Sequence, residues 1–330
     1  FHTLDECLTP MGKRMLRASI LRPLLDQSLI EARYEAVANA CGNLVQREEL
    51  RRALNGILDL ERLLARVSLD SAGPRDILGL CISLKRLPGV HAALSSLDGE
   101  LWRACTTRLD TIDDLCSRIE QTLVSQPPLT LADGGVITTG ADEELDALRN
   151  ISQTGRQSIA AIEQRERERT GIHSLKVRFN NVFGYYIEIT KSNLNSVPAD
   201  YERKQTLVNA ERFTTAELKE YETKVLTAHE CCIEIEKRIF SELRAVVLAA
   251  SGRIRRTSTV VAEVDMLACF AHVAALRHYV RPRITDECIL EAVAARHPVV
   301  EQLMADANEG RFIPNDLYID AQANSTGPSL

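Results

Sequence analysis

Between Ile172 and Arg212 the sequence gathers groups suited to one kind of chemistry: hydrogen bonding and charge pairing with phosphate oxygens. Lys176, Arg178, Lys191, Arg203, Lys204 and Arg212 stand against Glu188, Asp200, Glu202 and Glu211, a local +2 in a chain whose formal net charge is −6. Ser192, Asn193, Gln205, Thr206 and Asn209 add short polar groups. With backbone N–H groups, these suit phosphate oxygens better than base edges on a rigid duplex. The acidic whole offers a polyanion no general attraction, so only local charge can seat one. The same residues would also serve as solvated positions on a small sheet, and spacing alone leaves both readings open.

Other chemistry has less support. His229 and Cys232 share a helix face, but two ligands without a second pair make a poor zinc site. Nine cysteines lack CxxC spacing, and their odd number argues for buried thiols in a reducing cytosol. No catalytic residue and no metal ligand is expected.

The positioning elements follow from periodicity. In FNNVFGYYIEIT, Phe183, Tyr185, Ile187 and Ile189 recur at every second residue, the period of a half-buried strand. Leu175, Val177 and Phe179 alternate likewise, which places Lys176 and Arg178 on the opposite face. Tyr185 and Tyr186 point to opposite sides, so one of them is expected to be exposed. Strands are predicted near 173–180, 183–190 and 205–213.

Helices flank them. Leu218, Tyr221, Val225, Ala228, Cys232, Ile235, Ile239, Leu243 and Val246 form a coiled-coil-like seam. Leu145, Leu148, Gly155, Ile159 and Ile162 give the preceding helix a rougher one. Two long helices running out and back would form an arm with the sheet at its far tip, where a contact surface is better placed than an enzyme pocket.

The remainder reads as a helical bundle or stack, with 45% apolar residues to build its cores. Thr9-Pro10 and Asp26 cap successive helices, the second stopped by Gly42. Leu50, Leu54, Ile57, Leu60, Leu64 and Val67 continue the pattern, a helix from Pro74 reaches Pro88-Gly89, and Leu94–Leu123 forms one long amphipathic segment. LTLADGGVITTG reads as a short hairpin about Asp133-Gly134-Gly135. The longest apolar stretches are far short of a membrane span and no leader pattern opens the chain, so a soluble, cytoplasmic protein is expected.

SLKVRFNNVFGYYIEIT and VPADYERKQTLVNAERFTTAELKEYETKVL closely resemble the clamp region of the MutS family of DNA mismatch repair proteins. TLDECLTPMGKRMLRASILRPLLD, LADGGVITTGADEELDALR, VAEVDMLACFAHVA and RHPVVE extend the resemblance in the family's order over roughly residues 3–320. It implies a mostly α fold: a helical core with long antiparallel lever helices carrying a small antiparallel β-sheet clamp at the tip, then the start of an α/β ATPase domain. The implied boundaries are core and lever over 1–140, outgoing lever helix over 141–171, clamp over 172–213, returning lever and core over 214–282, and ATPase start over 283–330.

By the same resemblance the clamp closes over duplex DNA through backbone contacts. Lys191, Ser192, Asn193, Arg203, Lys204, Gln205, Thr206, Asn209 and Arg212 are the candidate contacts, and Phe312 of FIPND is the candidate adenine contact. ATP and Mg belong to the longer family member, as do a homodimer through the ATPase domain and downstream repair proteins. STGPSL lacks an apolar strand before it, so it reads as a turn and not a phosphate loop, and this stretch is not expected to bind nucleotide well. The family's Phe-x-Glu mismatch wedge has no counterpart, because Phe240-Ser241-Glu242 lies inside the long helix. Two alternatives stay open: a helical scaffold binding protein through its coiled-coil seam, and a homologue acting in recombination.

Overall fold

The computed structural model describes residues 1–180, 184–307 and 310–320. It opens with α1 (Pro10–Leu21), α2 (Gln27–Gly42), α3 (Leu44–Leu54) and α4 (Leu60–Ser68), then α5 (Pro74–Leu84), α6 (Leu87–Ser95), α7 (Glu100–Arg108) and α8 (Asp113–Thr122). α9 (Glu143–Thr170) leads into β1 (Lys176–Asn180), β2 (Gly184–Thr190), a 3-10 helix over Lys191–Ser196, β3 (Glu202–Thr206) and β4 (Ala210–Thr214). α10 (Ala216–Ala249), α11 (Ser251–Arg277), β5 (Ile289–Ala295), α12 (Pro298–Ala307) and β6 (Asn315–Asp320) complete it. The mostly helical expectation with a small antiparallel sheet holds.

The chain divides into two compact units. The first takes Phe1–Ser68, Gly79–Cys116 and the stretch from Ala249, and the second takes Leu69–Leu78 and Ser117–Leu248.

In the first unit α11 is buried around its circumference, as a central core helix must be. Its one buried acid, Asp265, caps a different helix. The carboxylate accepts from Leu8 N at 3.0 Å, Thr9 N at 2.7 Å and Thr9 Oγ1 at 2.7 Å, while Thr9 Oγ1 accepts from Gly12 N as the N-cap of α1. A Cβ at Gly12 would overlap Asp265, so this close approach requires glycine. Contrary to the expectation from the sequence, Pro74–Ser95 and Ser251–Arg277 are long and apolar enough, by length and composition alone, to cross a membrane. Burial within protein accounts for the apolar character of α11.

Several predicted helices are shorter than expected. Asn55-Gly56, with Gly56 at φ 83°, separates α3 from α4, although Leu50, Leu54, Ile57, Leu60, Leu64 and Val67 are all buried as the pattern requires. The helix from Pro74 stops at Leu84, and α6 restarts with Pro88 in its first turn. Leu94–Leu123 is three pieces, because Gly99 and Ile112 adopt left-handed φ and interrupt the hydrogen-bond ladder. Within the stretch expected to open an ATPase domain lie β5, α12 and β6, with β5 and β6 paired antiparallel; STGPSL lies outside the described residues.

In the second unit α9 and α10 run antiparallel. Arg238 reaches Asp142 at 3.3 Å, Arg149 reaches Glu236 at 2.7 Å, and Arg165 pairs with Glu217 near the opposite end. Midway, Gly155 lies so close to Val225 that a Cβ would overlap the valine methyl. The buried face of α10 departs from the predicted seam. Leu218, Val225, Ala228, Cys232, Ile239 and Leu243 are buried, but Glu236 and Val247 occupy the core where Ile235 and Val246 were expected. A straight helix drifts from a strict seven-residue repeat, and Glu236 is satisfied where it lies. Leu218 and Val225 of the seam pack within this unit against Ile159 and Ile162 of α9.

The predicted hairpin about Asp133-Gly134-Gly135 is absent. Leu131–Asp133 forms a 3-10 turn, and Gly135 N and Val136 N donate to the Glu236 carboxylate at 3.1 and 2.9 Å. Ile137 instead bridges Leu123 antiparallel, with Val124 N donating to Val136 O at 3.1 Å and Thr138 N to Thr122 O at 2.9 Å, so the segment pairs away from the predicted turn.

Candidate nucleic-acid interface

The four-stranded sheet, in order β1-β2-β4-β3, closes one end of the α9–α10 pair. The predicted third strand is two strands, β3 and β4, joined by a turn in which Leu207 N donates to Ala210 O at 2.8 Å. One face packs Ile187, Ile189 and Phe213 against Ile159, Ile162, Leu218 and Val225 of the helices. Phe183, the first residue of the expected alternation, lies outside the described residues.

Polar contacts fasten the sheet to the helices. Arg167 Nε donates to Leu175 O at 2.7 Å, Val177 N donates to Glu163 at 2.7 Å, and the Tyr201 hydroxyl donates to Glu166 at 2.8 Å. Burial, then the hydrogen bond to Glu166, pushes the Tyr201 phenol well above its ordinary range. It therefore stays a neutral donor.

The outer face carries a row in register across all four strands: Lys176 opposite Glu188, Glu188 opposite Arg212, and Arg212 opposite Gln205. Arg212 donates to Gln205 Oε1 at 2.7 Å, lies 3.9 Å from Glu188, and stacks 4.3 Å above the Tyr186 ring. That stacking overturns the expectation of an exposed tyrosine. Tyr186 is 4% exposed beneath the guanidinium, and Tyr185 is half-buried beside Phe179 at 5.0 Å.

The predicted contact residues separate into two groups. Lys191, Ser192 and Asn193 start the 3-10 helix, and Lys191 N donates to Asn209 O at 3.2 Å, which joins that helix to the β3–β4 turn. Lys191, Ser192, Thr206 and Asn209 are exposed, and Lys191 has no acid partner among the described residues. Asn193 donates to Ser174 Oγ and Thr190 Oγ1, each at 3.1 Å, and Thr190 also meets Ser192 Oγ at 3.1 Å. This edge presents an unneutralised ammonium, hydroxyls and a free amide side by side.

The second group is engaged within the sheet. Arg203 Nε lies 2.8 Å from the buried Glu211 carboxylate. Gln205 and Arg212 hold one another. A bulge between Arg203 and Gln205 interrupts the β3 register, and Lys204 there donates to Tyr185 O at 3.3 Å and faces Glu222 of α10 at 3.6 Å. Phe312 belongs to the other unit, half-buried just before β6.

Sequence reasoning missed Glu222. A signal for it exists in Gly184, an isolated glycine in an otherwise regular strand pattern, which marks close approach of another group. Gly184 has φ 68°, and a Cβ there would overlap the Glu222 carboxylate.

The family model for MutS domain III matches residues 1–271. The chain belongs to this family. Among curated MutS relatives, each named DNA mismatch repair protein MutS, the one from Solibacter usitatus is 51% identical over 99% of the chain. That from Symbiobacterium thermophilum is 45% identical over 99%, and that from Myxococcus xanthus 44% over 99%. The chain spans 38% of the length of the first two MutS relatives and 37% of the third.

Proposed function

We propose that this chain is the domain III portion of a MutS-type DNA mismatch repair protein, and that its sheet holds duplex DNA by phosphate contacts without reading sequence. The observation that carries this reading is the edge formed by Lys191, Ser192, Asn193 and Asn209. It holds an ammonium without an acid partner among the described residues, flanked by hydroxyl and amide groups, and a backbone hydrogen bond joins its two segments. Such groups neutralise and position phosphates but carry no base information. The names of the relatives support mismatch repair as the setting.

In the longer protein, nucleotide state would be coupled to clamp closure through the α9–α10 pair, with Phe312 against adenine and an ATPase-mediated homodimer engaging repair partners. Among the described residues no group of three or more His, Cys, Asp or Glu side chains is set to hold a metal ion.

The test is fluorescence anisotropy of a labelled, fully paired duplex titrated with the chain between about 50 and about 200 mM salt. Expected is weak binding whose log–log slope falls by about 0.9 in magnitude on Lys191→Ala. A folded chain that fails to bind at low salt would sink the reading.

A further inference from the structure

We propose that Glu222 is a positioning residue for the duplex-contacting edge, and that Lys204 is its internal counter-ion and does not meet phosphate. This inference rests on the phosphate-binding reading above and deepens it. Three observations carry it. The Glu222 side chain is largely buried where α10 meets the sheet, against the backbone of Gly184 at the start of β2. Lys204, on β3, lies 3.6 Å from that carboxylate and donates to Tyr185 O of β2 at 3.3 Å. The β3 bulge interrupts the register between Arg203 and Gln205, at Lys204 itself.

Glu222 therefore joins β2 and β3 to α10 through one ion pair. Both strands lead to the contact edge: β2 runs into Lys191, and β3 runs into the turn that carries Asn209. With Lys204 at 22% side-chain exposure and Glu222 at 15%, removing Lys204 leaves the poorly solvated Glu222 carboxylate without this counter-ion, and neutralising Glu222 removes the ion pair that holds Lys204 to α10. The start of β2 and the bulge of β3 then lose their common anchor on α10, and the two strands that run into the Lys191–Asn209 edge lose their fixed position on the helix.

Electrostatics gives this proposal a sign that a passive acid would not share. Neutralising a carboxylate beside a polyanion site ordinarily tightens binding by raising local positive charge. Neutralising a positioning carboxylate weakens binding instead. Similarly, removing a phosphate-contacting lysine lowers the salt slope by about 0.9, whereas removing an internal lysine weakens affinity and leaves the slope in place.

The experiment measures affinity and salt slope for a paired duplex with the full chain and with Glu222→Gln, Lys204→Ala, Lys204→Arg and Lys191→Ala. Expected are losses of about fivefold for Glu222→Gln and Lys204→Ala at unchanged slope, near-complete rescue by Lys204→Arg, and a reduced slope for Lys191→Ala alone. Unchanged or tighter binding by Glu222→Gln, or a slope lowered by about 0.9 in Lys204→Ala, would overturn the inference while leaving the binding reading intact. Failure of the unaltered chain to bind would overturn both.

Discussion

Lys191 donates its backbone amide to the carbonyl of Asn209 at 3.2 Å, and this bond brings together two segments 18 residues apart in sequence at one edge of the sheet. Because the contact is made by the backbone, both side chains remain available to a ligand. The consequence is a small donor surface whose spacing is set by the sheet.

Arg203 is expected to act on stability more than on affinity. Its guanidinium compensates Glu211, which is 5% exposed, so Arg203→Ala strands a buried carboxylate at a cost of about 2 kcal/mol. Circular dichroism melting should show the loss, and the Arg203→Ala/Glu211→Gln double variant should recover most of it.

Asp265→Ala removes the acceptor for Leu8 N, Thr9 N and the Thr9 hydroxyl in a buried site. A loss of about 3 kcal/mol is expected. Trp102, the sole tryptophan, is fully buried in the same unit and donates to Ala36 O at 3.0 Å. Its fluorescence during urea unfolding should move to a lower midpoint.

Gly155→Leu forces α9 from α10 where Gly155 meets Val225. Overpacking of this kind costs about 1–3 kcal/mol. The expected signature is an earlier loss of helical circular dichroism on heating.

Acid should weaken the first unit in a way that depends on Arg253. Its hydrogen bonds to Asp110 at 2.7 Å and Asp114 at 2.8 Å hold both carboxyls below their ordinary value of 3.8. Unfolding raises those values, so the stabilisation is fully present above the unfolded pKa and is lost as pH falls through the lowered folded ones. Arg253→Ala should reduce the shift of the Trp102 midpoint between about pH 5 and about pH 3.

Local chemistry was legible in the sequence and long-range satisfaction was not. Thr9 and Asp26 cap their helices as read, because a cap is specified within three residues. The alternation around Ile187 and Ile189 identified a sheet because burial of one face imposes a period of two. Glu236 could not be read as a core residue, since its partners Gly135, Val136 and Arg149 are remote in sequence. The same holds at the interface. One bulge at Lys204 and one glycine at 184 set Lys204 against Glu222, and neither changes the composition that suggested phosphate contacts.

The most direct measurement is hydrogen–deuterium exchange of the chain with and without a saturating, fully paired duplex at low salt. Protection confined to Lys191–Leu194 and Thr206–Ala210, with the helical contact face of the sheet unchanged, is the expected result. Binding accompanied by protection only in the first unit, or by no change at these two segments, would contradict the placement of the duplex on this edge.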